Sequence, residues 1–163
     1  MTFEKVVQSL TKLVDIHQQL ISLSEEKTEF IKAGKVEELQ NKLLQERKLV
    51  LQLEQAEAER QKVISSWFEE RGLTEEEKTI TSMLAAIDDE EQQAELAAVT
   101  TELTEAVTTL KRSEHLNREL LEQSMQFVQM SLHLLNPSLE QMNYGENKQN
   151  QPNRDQSMFD SKA

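Results

Sequence analysis

Apolar residues recur every three to four positions along most of this chain, the spacing of one face of an α-helix. In 1–33 they fall at Phe3, Val6, Val7, Leu10, Leu13, Val14, Ile16, Leu20, Ile21 and Leu23. That continuous face predicts a helix of about 30 residues, or about 45 Å. Gly34, between Ala33 and Lys35, is placed to cap it in the left-handed conformation, with Lys32 favourable at the negative helix end. In 35–71 a second seam runs through Val36, Leu39, Leu43, Val50, Leu53, Ile64 and Trp67, flanked by Leu44, Leu49 and Val63. Glu46, Glu57 and Arg60 interrupt it, so the surface is not a pure zipper. Arg71-Gly72 ends this helix, and a connection as short as Ala33-Gly34-Lys35 makes the two helices an antiparallel hairpin.

Beyond Gly72, Thr74 and Glu77 read as a capping box for a short amphipathic segment carrying Ile80, Met83, Leu84 and Ile87. Asp88-Asp89-Glu90-Glu91 then marks either a break with a new cap or an acidic patch within one long helix. From about Glu90 to Leu135 the register resumes at Leu96, Val99, Leu103, Ala106, Leu110, Leu120, Phe127 and Leu134, until Asn136-Pro137 stops it. The end of this helix is apolar on more than one face. Leu121, Met125, Val128, Leu132 and Leu135 add a stripe to the Leu120–Phe127–Leu134 seam. At about 69 Å the helix also outruns its neighbours. By periodicity the stripe fits a groove for an amphipathic partner helix, ordinary core, or a dimer interface.

Composition narrows the classes. Three glycines and two prolines in 163 residues supply too few turns for a sandwich, barrel or doubly wound sheet. Without cysteine there are no disulfides, thiolate metal sites or thiol nucleophiles. A net charge of −12 disfavours nucleic acid and anionic membrane as partners. No signal peptide is read, and the longest apolar run is Met83 to Ile87, far short of the ~20 residues that span a bilayer. The cytoplasm is the expected compartment. None of His17, His115 and His133 follows a glutamate by three residues, and no phosphate-binding glycine loop or nucleophile elbow occurs. Neither an enzyme nor a metal or other cofactor is expected. His17 reads as a half-buried packing residue, and Trp67-Phe68 as the cap of the hairpin core. Residues 137–163, rich in Asn, Gln and Ser, are expected to be disordered in isolation.

Leu110-Lys-Arg-Ser-Glu-His-Leu-Asn117-Arg-Glu-Leu120-Leu121-Glu122, then Phe127 and Leu132-His-Leu-Leu135, resembles the C-terminal helix of the FlgN family of flagellar type III export chaperones. The stretches Leu20 to Glu29, Lys32 to Lys35 and Glu37 to Leu39, with the ending Met158 to Ala163, resemble Bacillus-type members of that family. The resemblance implies clients: the hook–filament junction proteins FlgK and FlgL, bound through their C-terminal amphipathic helices. Asn117, Leu120, Leu121, Met125, Phe127, Val128, Leu132 and Leu135 are the client-binding residues it points to. It also implies that Tyr144-Gly145 docks on the cytoplasmic domain of the export-gate protein FlhA. Two positions depart from the family pattern: Glu146-Asn147 follows Tyr144-Gly145, and Arg118 follows Asn117.

The expected architecture is all-α: an elongated antiparallel three-helix bundle or coiled coil over 1–136, with a flexible tail over 137–163. The alternative to a chaperone is a structural coiled-coil protein that homodimerises through its last helix without a client.

Overall fold

A computed structural model describes residues 2–74 and 78–135, which form α1 (Thr2–Ala33), α2 (Val36–Glu70), α3 (Ile80–Ala86) and α4 (Glu90–Leu135). The described residues are all-helical, with no strand. The tail expected over 137–163, with Tyr144 and Gly145, lies outside the described residues.

The helix ends follow the glycines. Gly34 and Gly72 have φ of 67° and 65°, which only glycine adopts without strain. Each closes its helix with the same two bonds. Lys35 N–H donates to Phe30 O at 3.0 Å and Gly34 N–H to Ile31 O at 3.2 Å. Leu73 N–H donates to Phe68 O and Gly72 N–H to Glu69 O, both at 3.1 Å. This paired pattern satisfies carbonyls that a frayed end would leave open.

Between α2 and α4 the local signals were partly misread. Instead of a helix capped at Thr74, α3 begins at Ile80, and Thr79 accepts from the Ser82 N–H at 3.1 Å. Glu77 lies outside the described residues. Burial decides the start: Met83 and Ile87 enter the main core, and tertiary packing overrides a local capping preference. The acidic run is a true break. Ile87 is extended, and the Asp89 carboxylate caps α4 by accepting from Glu91 N–H at 2.9 Å. The Gln93 amide donates to Ile87 O at 2.7 Å and Leu84 O at 3.1 Å, pinning the break.

Residues 2–120 form one unit with α1 at its centre. Thirteen of the 32 residues of α1 are buried, against four of 35 in α2, so α1 packs on more than one side. Helix α2 runs antiparallel to it: Lys12 meets Glu59 at 3.1 Å and Lys27 meets Glu46 at 2.7 Å. Helix α4 runs parallel to it: Ser24 meets Ser113 at 2.5 Å, Lys27 meets Glu114 at 2.9 Å, and Thr28 bonds Asn117.

Three layers follow along α1. The first is apolar, with Phe3, Val6, Leu10, Ile64, Trp67, Phe68, Met83, Leu96 and Val99 among its members. Trp67 and Phe68 meet edge-on at 5.0 Å, and the Arg71 guanidinium covers the indole at 4.3 Å. The second layer gathers Leu13, Ile16, Leu20 and Ala56, flanked by Leu49, Leu53, Leu103 and Leu110. The third is polar: Ser24, Lys27 and Thr28 from α1, Glu46 from α2, and Ser113, Glu114 and Asn117 from α4. Residues 121–135 continue α4 as a separate unit.

Lys27 is 5% exposed. Burial alone would depress its pKa, but hydrogen bonds to Glu46 and Glu114 outweigh burial and hold it above the ordinary 10.5. Lys27→Met would leave two carboxylates facing each other with no cation between them. The expected cost is about 2 kcal/mol in urea unfolding at pH 8, below the usual figure for a broken buried pair because both glutamates keep some solvent. Folding raises this pKa, so the stabilisation is full below 10.5 and is lost as pH climbs through the higher folded value. The stability difference between wild type and variant should therefore shrink above pH 10.5.

Candidate functional site

On an ideal helix a heptad repeat drifts back about 20° per heptad. The line Val99–Ala106–Ser113–Leu120–Phe127–Leu134 thus slides about 100° around α4. Leu121, Val128 and Leu135 instead return to the azimuth that Leu96, Leu103 and Leu110 use to face the core. They carry the core-facing stripe onward, yet all three are exposed, at 43%, 54% and 83%. Leu132 is 47% exposed, and Met125, Phe127, Met130 and Leu134 each exceed 60%.

The α1–α4 register accounts for where this begins. The two helices are joined by pairs 87 to 93 residues apart, and α1 ends at Ala33. The partner register of α4 therefore runs out near its position 122. From Gln123 to Leu135 there is no Asp, Glu, Lys or Arg, in a chain where 29% of residues are charged. Such a surface associates chiefly by burying apolar area. Each of its large side chains stabilises a partner by about 1.5–3 kcal/mol when fully covered, before the costs of association. Met125 and Met130 add side chains that adapt to uneven shapes.

Two residues that the family resemblance groups with the stripe lie elsewhere. Asn117 is 3% exposed, and its amide donates to Ser24 O at 2.9 Å and Ser24 Oγ at 3.1 Å while accepting from Thr28. Its hydrogen-bonding capacity is used inside the protein. Leu120 is half-buried. The other six, Leu121, Met125, Phe127, Val128, Leu132 and Leu135, share an exposed helical segment. Tyr144 and Gly145 are outside the described residues.

The polar layer was missed by sequence reasoning, although a signal existed. Ser24, Lys27 and Thr28 sit at three- and four-residue spacing directly after Leu20 and Leu23, where apolar residues would continue the face. The acids and base that interrupt the α2 seam also find their uses. Glu46 holds Lys27, and Glu57 receives Arg60 Nε at 2.8 Å. The Arg60 hydrogen bond holds the Glu57 carboxyl below its usual range against the opposing effect of burial.

Among the described residues, no group of His, Asp or Glu could hold a metal ion. His17 is half-buried and donates from Nδ1 to Leu13 O at 2.7 Å, and His115 lies 3.2 Å from Glu119. No described helix is long and apolar enough to cross a membrane.

Asn117 and the stripe should therefore respond oppositely to mutation. Asn117→Ala strands Ser24 and Thr28 and is expected to cost about 1–3 kcal/mol in denaturant unfolding. Leu121→Asp with Val128→Asp, both on exposed positions, should change stability by less than about 1 kcal/mol and leave the helical circular dichroism intact.

Among known proteins, the FlgN protein family model matches residues 1–152. The uncharacterized protein YvyG of Bacillus subtilis strain 168 is 33% identical over 165 residues, covering 100% of this chain and 100% of that protein. No solved structure matches.

Proposed function

We propose, because the chain belongs to the FlgN family, that it is a cytoplasmic flagellar export chaperone for the hook–filament junction proteins FlgK and FlgL. The observation that carries this reading is the exposed apolar stripe on α4 from Leu121 to Leu135, which beyond Glu122 has no Asp, Glu, Lys or Arg around it. An amphipathic C-terminal helix of a client lies along Leu121, Met125, Val128, Leu132 and Leu135, with Phe127 on the flank. Covering that helix keeps the client from assembling before export. Asn117 and Leu120 stand at the base of the stripe and support it. Asn117 ties α4 to α1 just before the exposed part begins.

Delivery to the export gate is assigned to the tail. Tyr144 enters a pocket on the cytoplasmic domain of FlhA as a rigid aromatic anchor, and Gly145 permits the turn beside it. The work involves no catalysis, metal or nucleotide. A family member that binds by apolar burial needs none of these.

The test is calorimetric titration with the isolated C-terminal segment of FlgK or FlgL from the same organism. Saturable binding is expected, with a negative heat-capacity change and little dependence on salt. Leu121→Asp with Val128→Asp should abolish it, and deletion of 137–163 should not. Absence of binding to both segments, together with a stable dimer in light scattering, would leave a self-assembling coiled coil as the better account. Binding that vanishes with the tail would move the client site there.

A further inference from the structure

Helix α2 carries two apolar stripes, and the core uses one of them. Leu49, Leu53, Ala56 and Ile64 pack inward. Val36, Leu43, Leu44, Val50 and Leu51, several of them assigned to the hairpin seam by spacing, are instead exposed at 39–62%. Their intervals of seven, Val36–Leu43–Val50 and Leu44–Leu51, are those of a coiled-coil seam without its second helix. The stripe is about 22 Å long, matching a partner helix of about four turns. Its C-terminal half is a depression of about 480 Å³ lined by Leu43, Glu46, Arg47, Val50 and Leu51.

Charge identifies the partner's chemistry. Lys42 and Glu46 are engaged by Glu26 and Lys27. Arg47, between Leu43, Leu44, Val50 and Leu51, makes no hydrogen bond or ion pair among the described residues, and neither does the adjacent Lys48. An unpaired guanidinium ringed by leucine and valine is the composition of an interface hot spot, and its complement is a carboxylate inside an apolar face. A second copy of this chain fits poorly. A two-fold pairing centred on the stripe, between Leu43 and Leu44, sets Arg47 opposite Gln40, an amide and not a carboxylate, and the charge-free segment from Gln123 to Leu135 has no carboxylate to offer.

We propose that this face of α2 is a second docking surface, separate from the α4 stripe, for an amphipathic helix of another protein with an acidic residue amid its apolar positions. The probes are three 21-residue synthetic amphipathic helices of leucine and alanine, identical except for Glu, Gln or Lys at the centre of the apolar face. Binding to the full chain is read by fluorescence anisotropy. The Glu peptide should bind roughly tenfold tighter than the Gln peptide, with the Lys peptide weakest. Arg47→Glu should invert that order, and Leu51→Asp should remove all binding without loss of helicity. Leu121→Asp with Val128→Asp should leave it unchanged, so failure of the client reading and failure of this one are distinguishable. Equal affinity for the three peptides, no binding, or indifference to Arg47→Glu would overturn the proposal. So would a wild-type dimer in sedimentation that Leu51→Asp converts to monomer, which would give the face to a second copy.

Discussion

Lys27, 5% exposed, lies where three helices meet, and its ammonium takes one carboxylate from each neighbour: Glu46 of α2 and Glu114 of α4. The apolar layers along α1 favour burial but tolerate sliding, since leucine against leucine is nearly as good one turn away. The polar layer does not tolerate it. Moving α2 or α4 by one turn would strip a buried cation of a partner and leave Asn117, Ser24 and Thr28 without theirs. Hydrophobic burial thus supplies the drive to associate, and seven polar side chains fix the alignment.

That alignment determines which apolar surface is spent and which is left. Only two residues separate the end of α1 from the start of α2, while α4 continues to Leu135 on the same amphipathic pattern. The stripe from Leu121 onward has core chemistry and surface exposure together. The outer stripe of α2 has the same character for another reason. Glu46 must face Lys27, and that orientation turns Leu49 and Leu53 inward and Leu43 and Val50 out. In both places one buried ion network decides which leucines meet water.

Features set by local chemistry were legible in the sequence. The hairpin, its turn at Gly34 and the stop at Gly72 follow from period and punctuation, and none needs knowledge of distant residues. What depends on distant pairing was not legible. Two stripes of α2 compete for the interior, and periodicity alone cannot rank them. Asn117 shares the spacing of the client stripe and belongs to the core, because a polar residue at a core position reads as an interruption until its partners 89 and 93 residues away are known. Thr74 had the better local cap, but Met83 and Ile87 required the helix to begin at Ile80. The apolar character of residues 121–135 was readable. Their exposure was not, since it follows from where α1 stops in the register of α4.

The parallel pairing of the first long helix with the last also imposes an order of events during synthesis. The α1–α2 hairpin can close as soon as its own residues exist, with contacts of short to moderate sequence separation. The other side of α1 must wait until positions 96 to 117 have been made, because Leu96, Val99, Ser113, Glu114 and Asn117 cover it. Each of those contacts closes a loop of about 90 residues, an entropic cost that only the finished α4 can offset. A nascent chain halted before that point carries a half-covered α1, with Val6 and Leu10 bare on one side and Lys27 short of a partner. Such a chain is prone to associate with whatever apolar helix it meets first.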